Sequence, residues 1–411
     1  MSVGCRRNAA VIGSLLLLSS LGFGAWTQLT SGTTADLHAV HFPAGTQVGY
    51  AVGIAGTILK TTDGGTTWAP ESSGTGNLLH SVYFLNDLTG FAVGERSAAV
   101  KTTDGGATWT TVTISGTDPL HSVQFPENGL VGYIGVEPRG GQGKVWKTTD
   151  GGATWTAINV GGPLATSYGC GMATDNQGVV FGPQGMLAGS TDGFATSTAQ
   201  GPNTIANLVA AAFSPTDPNR GYLVGNDTAS GLGVIRYTAT FGPVWDSVRC
   251  PVVPAFYGVD LPTADFAYVC GTGGFIGVSV APTNFFQTEV PTGLTATMYG
   301  VCFPNGADTG YAVGEVGTIL RTYDKGIPWK PGVAEGKVPA MTQAGIRVLS
   351  NPCRHGIALL SDADVNVVVF DAAGRVVRSQ AATKGLNFLP LPTGAYFVKS
   401  GAQTARVVVT D

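Results

Sequence analysis

The stretch Lys101-Thr102-Thr103-Asp104-Gly105-Gly106-Ala107-Thr108-Trp109 decides how this chain is read. Almost the same nine residues recur at Lys60 to Trp68 and at Lys147 to Trp155, and weaker copies surround Asp192 and Asp324. Each copy has the grammar of a hairpin turn: Lys-Thr-Thr ends one strand, Asp-Gly-Gly turns the chain where positive φ is needed, and Thr-Trp opens the next strand. The Asp carboxylate is suited to accept bonds from its own turn, and the indole brings a large apolar surface. Asp63, Trp68, Asp104, Trp109, Asp150, Trp155, Asp192 and Asp324 are therefore read as structural staples rather than as catalytic groups.

A second landmark lies upstream of each turn. In the second unit it is His80-Ser81-Val82-Tyr83-Phe84 followed by Gly90-Phe91-Ala92-Val93-Gly94, two short strands. The closing glycine recurs as Gly53, Gly94, Gly135, Gly182, Gly225, Gly271 and Gly314, which defines seven units. The Asp-turn positions Asp63, Asp104, Asp150, Asp192, Thr240, Ala281 and Asp324 stand between 41 and 48 residues apart, the length of a four-stranded propeller blade. The fifth and sixth units lose the acid and keep an aromatic, as Trp245 and Phe286, while the fourth keeps Asp192 and loses the Trp. Such uneven decay points to packing as what the position supplies.

These repeats predict an all-β chain: a seven-bladed β-propeller over residues 26–335, a linker at 336–345, and a small C-terminal β-sandwich at 346–411. Trp26-Thr27-Gln28-Leu29 has no turn before it, yet Trp26 stands 12 residues before His38 as Trp68 stands 12 before His80. This N-terminal strand is expected to complete the seventh blade, with Trp329 as its competitor. In the tail, Val367 to Phe370, Val376-Val377, Ala395 to Lys399 and Arg406 to Val409 are among six strand candidates, and Asp371 to Arg375 is a hairpin turn.

Residues 1–25 read as a signal peptide, with Arg6 and Arg7 before an apolar run from Ala9 to Leu21 and small residues at Gly22, Gly24 and Ala25. The expected location is secreted or on the outer cell surface, reached through the periplasm. The chain carries 22 basic and 26 acidic residues, and processing would remove Arg6 and Arg7. With no basic run, nucleic acid is not an expected partner. Gly contributes 61 of 411 residues without a three-residue period, so many tight turns are implied and collagen is not. Five cysteines follow the leader, and Cys250 with Cys270 is a candidate bridge.

The position held by His80 reads His38, His80, His121, Tyr168, Val209, Tyr257 and Tyr299 around the ring. Three histidines on equivalent inner strands raise the question of a metal. The reading adopted is a polar-tipped ring near the axis, with no metal and no cofactor, because equivalent atoms of adjacent blades are expected to lie too far apart. His41 has no obvious partner in sequence. Loops after the landmark glycine carry Glu95, Arg96, Glu137, Arg139, Asp227 and Glu315. These emerge on one rim, opposite the Asp turns, and are the ligand-binding candidates.

The Asp-Gly-Gly repeats resemble Asp-box repeats. Together with Gly-Tyr-Ala-Val-Gly at Gly49 to Gly53 and Gly310 to Gly314, they make residues 26–335 similar to the BNR-like propellers of the photosystem II assembly and stability factor family. That resemblance implies a binding role, which in photosynthetic members is to newly made reaction-centre subunits through a basic patch. The tail, through Asn351-Pro352, Val369-Phe370-Asp371, Gly374 to Val377 and Thr393 to Val398, resembles C-terminal sorting domains of the type IX secretion system. This implies that machinery as a partner. The expected function is a non-enzymatic, monomeric ring that binds a protein or surface glycan, with no catalytic residue. The alternatives are a photosystem II assembly-like factor and a glycoside hydrolase of Asp-box type, in which Asp227, Asp260, Glu95 or Glu315 would have to supply a carboxylate pair.

Overall fold

The computed structural model describes residues 26–323 and 346–410, apart from 140–142, 161–166, 202–204, 228, 249, 251–253, 281–285, 289–293, 305, 307, 349–352, 355, 362–364, 372–374, 383–384, 392–393 and 401–402. The chain divides into two compact units, the first ending at Trp329 and the second beginning at Lys330. Residues 1–25, Asp324, Trp329 and the linker lie outside the described residues.

The first unit consists of seven four-stranded antiparallel sheets. In blade 2 the strands are Leu79–Phe84, Gly90–Gly94, Ala99–Thr102 and Thr110–Thr111, numbered here first to fourth from the axis outward. The remaining blades repeat this order, their first strands being Leu37–His41, Leu120–Gln124, Gly169–Met172, Asn207–Phe213, Phe256–Asp260 and Met298–Cys302. Neighbouring first strands touch all the way around, including blade 7 against blade 1. The ring is closed by Thr27–Leu29, which pairs antiparallel with Ile319 to Arg321 as the fourth strand of blade 7. Trp26 anchors it, 7% exposed and edge-on to Phe303.

Cores form between blades rather than within them, because a single sheet cannot cover its own faces. Tyr50, Val52 and Ile58 of blade 1 pack with Leu79, Val82, Phe84 and Trp109 of blade 2. Tyr311, Val313 and Ile319 of blade 7 do the same with Leu37, Val40 and Phe42 of blade 1. Rings stack across these seams, with centroids 3.6 Å apart for Tyr50 and Phe84 and 4.0 Å for Phe42 and Tyr311.

The landmark glycines follow from this packing. A Cβ on Gly94 would meet the Leu78 carbonyl oxygen at 1.8 Å, and one on Gly53 the Asp36 carbonyl oxygen at 1.9 Å. Cys270 lies buried in the cluster between blades 6 and 7 and forms no disulfide with Cys250. The candidate bridge does not form, and position 270 belongs to a close-packed second strand.

The second unit has a three-stranded sheet ordered Ile346–Val348, Gly356–Ser361, Gly385–Pro390. Its five-stranded sheet is ordered Cys353–Arg354, Gln403–Thr410, Gly394–Ser400, Val365–Asp371, Val376–Ala382. The hairpin after Asp371 is held by Asp371 itself, whose carboxylate accepts from the Arg375 backbone at 2.9 Å and from its guanidinium. Cys353–Arg354 and Gly385–Pro390 are strands beyond the six expected ones; in the second, the terminal Pro and interior Asn387 weaken its signal in sequence.

Candidate functional site

The two rims are built differently. On one rim, Asp104 Oδ1 accepts from Thr102 Oγ1 at 2.8 Å and from Thr108 N at 2.9 Å, while Oδ2 accepts from Thr108 Oγ1 at 2.6 Å. Asp63, Asp150 and Asp192 repeat the arrangement. Hydrogen bonds from Thr67 and Thr61 hold Asp63 down at about 2, and those from Thr108 and Thr102 hold Asp104 there too. With both oxygens committed, none of these carboxylates is placed to act on a ligand.

Each turn also ties its blade to the preceding one. The Gly105 carbonyl accepts from Tyr50 Oη at 2.8 Å and Lys60 Nζ at 2.6 Å, both of blade 1. Lys101 reaches Gly151, Lys147 reaches Gly193, and Tyr311 with Arg321 reaches Gly64 across the closing seam. The repeated Lys is thus a donor to the next blade.

Where blade 4 lacks the Trp, Phe194 takes the position of the second box glycine. Its φ is +65° and it packs edge-on against Tyr133 of blade 3. The aromatic has moved three residues and kept its seam. In blade 5, Trp245 is buried and donates Nε1–H to Gln200. Phe286 opens a fourth strand in blade 6.

At the other rim, the first strand bulges in six of the seven blades. Register slips between Leu37 and Ala39, Leu79 and Ser81, Leu120 and Ser122, Leu208 and Ala210, Phe256 and Gly258, and Met298 and Gly300. The skipped residues are His38, His80, His121, Val209, Tyr257 and Tyr299. A bulge leaves its residue unpaired and re-aims its side chain. The rings meet as a collar: Tyr257 and Tyr299 at 5.4 Å between centroids, Tyr299 stacked on His38 at 4.6 Å, His38 edge-on to His80 at 5.6 Å, and His80 stacked on His121 at 4.6 Å. Tyr168 continues the arc at 6.3 Å.

The bulges bring neighbouring rings into contact, with histidine centroids 4.6 and 5.6 Å apart. The imidazoles meet as stacked or edge-on rings instead of converging on a point, and no group of three metal-ligating side chains occurs among the described residues.

Four consecutive blades pair a collar residue with a carboxylate. His80 Nε2 lies 3.2 Å from Glu95, and His121 Nε2 lies 3.1 Å from Glu137. Tyr299 Oη donates to Glu315 at 3.3 Å. Asp36 acts on His38 through its charge, and its Oδ1 accepts from Val316 N at 2.8 Å. Burial, reinforced by the charge of His121, pushes His80 down to about 4 against the pull of Glu95, so it is a neutral Nε2–H donor at pH 7. Burial lowers His38 as well, and the hydrogen bond from His121 lowers Glu137.

The ligand-binding candidates are distributed unevenly over this rim. Arg139 reaches Glu95 at 3.5 Å and its backbone N–H donates to Asp118, so Glu95, Glu137 and Arg139 form one group with the collar. Glu315 joins it through Tyr299. Arg96 stands exposed at φ +56° in the tip Glu95–Ser97, where Ser97 is also at +56°. The tips of blades 1 and 7 place glycine at the second of these positions, as Gly56 and Gly317, so the type I′ turn of blade 2 is the strained version. Asp227 is not part of the group; it caps its own loop by accepting from Ala229 and Ser230.

Three inner-strand residues acquire roles that the sequence did not disclose. His41 Nδ1 accepts from Phe84 N of the next blade at 3.3 Å, meets the Tyr83 ring at a tilt with centroids 4.6 Å apart, and is driven to about 4 by burial. Gln124 and Asp260 stand at the same place in their blades and accept from Met172 N and Phe303 N. Asp260 thus lies at a seam, where desolvation raises its pKa to about 6.

A family model described as photosynthesis system II assembly factor YCF48 matches residues 19–160. No curated protein matches the chain in sequence. Among solved structures, YCF48 bound to a D1 peptide is similar at 20% identity and TM-score 0.58, covering 74% of this chain and 98% of that one. YCF48 from Cyanidioschyzon merolae is similar at 18% identity and TM-score 0.57, covering 73% of this chain and 98% of that one. A GH74 enzyme from Niastella koreensis gives 14% identity and TM-score 0.57, covering 94% of this chain and 75% of that one. An ancestral GH74 enzyme gives 13% identity and TM-score 0.60; the match covers 93% of this chain and 54% of that enzyme.

The chain thus carries a BNR/YCF48-like β-propeller, at low identity over part of its length. The sequence reading that set it outside the enzymes is corrected: its fold matches glycoside hydrolases as closely as it matches YCF48. A ring of this kind supports both chemistries, so the fold gives no ground for excluding hydrolysis.

Proposed function

We propose that the ring binds an extended polypeptide segment across the rim that carries the collar. The observation that carries this reading is the shared bulge, which brings histidines and tyrosines of successive blades together beside Glu95, Glu137 and Glu315. Polar groups on loops over a rigid ring are a common recognition surface. The solved YCF48 with a D1 peptide supports a polypeptide as the kind of ligand. The leader-like residues 1–25 and the sorting-like C-terminal unit support delivery to the cell exterior, with type IX secretion as the route.

A peptide array probed with the full chain tests the reading, followed by hydrogen exchange on the bound complex. Protection confined to residues 95–97, 137–139 and 315–317 is the expected result. Protection at the Asp-box turns instead would overturn it; β-glucans incubated in parallel, with reducing sugar as the readout, test hydrolysis separately.

A further inference from the structure

The collar rim has a charge pattern that specifies its ligand further. Asp36, Glu95, Glu137 and Glu315 belong to the mouths of blades 1, 2, 3 and 7, which are consecutive around the closed ring. Glu95 and Glu315 are held by the uncharged donors His80 and Tyr299, so these bonds orient the carboxylates without neutralising them. The third-strand cations Lys60, Lys101, Lys147 and Arg321 all turn to the opposite rim, where glycine carbonyls accept from them. Lys144 is bound to Asp118 at 2.5 Å.

A guanidinium already lies at this mouth. Arg139 approaches Glu95 Oε2 at 3.5 Å, a loose contact, and its side chain remains 61% exposed. The mouth therefore accommodates a guanidinium from within the chain and holds it only at its edge.

We propose that the axial mouth formed by blades 7, 1, 2 and 3 receives an arginine or lysine side chain of the bound polypeptide, between the Tyr299-His38-His80-His121 arc and the carboxylates of Glu95 and Glu137. Carboxylates supply charge-assisted bonds to such a side chain and so favour a cation over a neutral group. This inference rests on the rim-binding reading and names the chemistry recognised there. Arg139 is the group the incoming cation displaces, and Arg96 repels it.

The test uses the full chain and a short fluorescent Gly-Ser peptide carrying two arginines, the same peptide with citrulline in their place, and a third with glutamates. Citrulline keeps the shape and removes the charge. The expected result is that the arginine peptide binds at least about tenfold more tightly than the citrulline peptide, that Glu95→Gln with Glu137→Gln abolishes the difference, and that Arg139→Ala enlarges it. Circular dichroism melting of each variant confirms that the ring remains folded. Equal binding of the arginine and citrulline peptides, or preference for the glutamate peptide, overturns the cation site while leaving rim binding in place. Failure of all three, together with array peptides that protect no collar-rim residue, overturns both readings.

Discussion

The Asp-box rim and the collar rim are made from the same repeats and are used in opposite ways. On the Asp-box rim the described carboxylates bond their own turns, glycine carbonyls accept from the neighbouring blade, and lysines supply the donors. On the collar rim the first strands bulge, the tips of blades 1, 2, 4 and 7 hold non-glycine residues at positive φ, and Glu95, Glu137 and Glu315 lie beside the rings of His80, His121 and Tyr299. The first arrangement holds the ring together. The second stores strain and leaves charge facing solvent, which is what a recognition surface requires.

The largest test of this contrast is removal of the closing strand. Deleting Trp26 to Leu29 takes the fourth strand from blade 7 and a buried indole from its core. The expected loss exceeds the about 3 to 5 kcal/mol of a single buried Trp, read by chemical denaturation. An unchanged midpoint would mean that another segment closes the blade. Next comes Trp109→Ala, with a cost of about 3 to 5 kcal/mol and no change in peptide affinity. A variant of normal stability but altered binding would reverse the roles assigned to the two rims.

Acid separates the regions by their titration windows. His41 has its pKa lowered by burial to about 4 from 6.5, so the unfolded chain binds the proton first. Its contribution is complete above pH 6.5 and is lost as pH falls to about 4, by about 3 kcal/mol in all. His38 and His80 shift in the same direction. Asp63 and Asp104 keep their contribution down to about pH 4 and lose it as pH falls toward 2. His41→Gln imitates Gln124 in blade 3 by retaining an acceptor for the Phe84 N–H without a titrating group. Melting curves from pH 7 to 4 are expected to flatten for this variant, and an undiminished acid slope would reassign the effect to the collar.

The smallest expected effect is at Arg96. Relief of its left-handed backbone by Arg96→Gly is expected to stabilise the ring by at most about 1 kcal/mol, part of the gain being offset by chain entropy. The same change removes a positive charge beside the mouth and is expected to tighten binding of the arginine peptide. Weaker binding would show that Arg96 contacts the ligand favourably.

The seven repeats, their four-strand unit and the N-terminal closing strand were legible because periodicity, turn chemistry and the Trp26 to His38 spacing are local or periodic signals. The candidate rim residues were visible as loop residues after the landmark glycine. Their grouping was not, and Asp227 shows why: its position matches the pattern, yet its carboxylate is consumed by its own inserted loop. The transfer of an aromatic to Phe194 also escaped the sequence, because an equivalent seam can be filled from a residue three places earlier.

The sequence by itself determined a closed ring of seven β units, since each repeat has an apolar face that only another repeat can cover. Tertiary structure alone decided which groups are spent and which are available. The acceptor of Lys60 lies in blade 2, the partner of His41 is a backbone N–H of the next blade, and the collar exists only where bulges from separate blades meet. Such contacts join residues a repeat or more apart in the chain, and at the closing seam its first and last blades, so their geometry is fixed when blades pack and not when strands form.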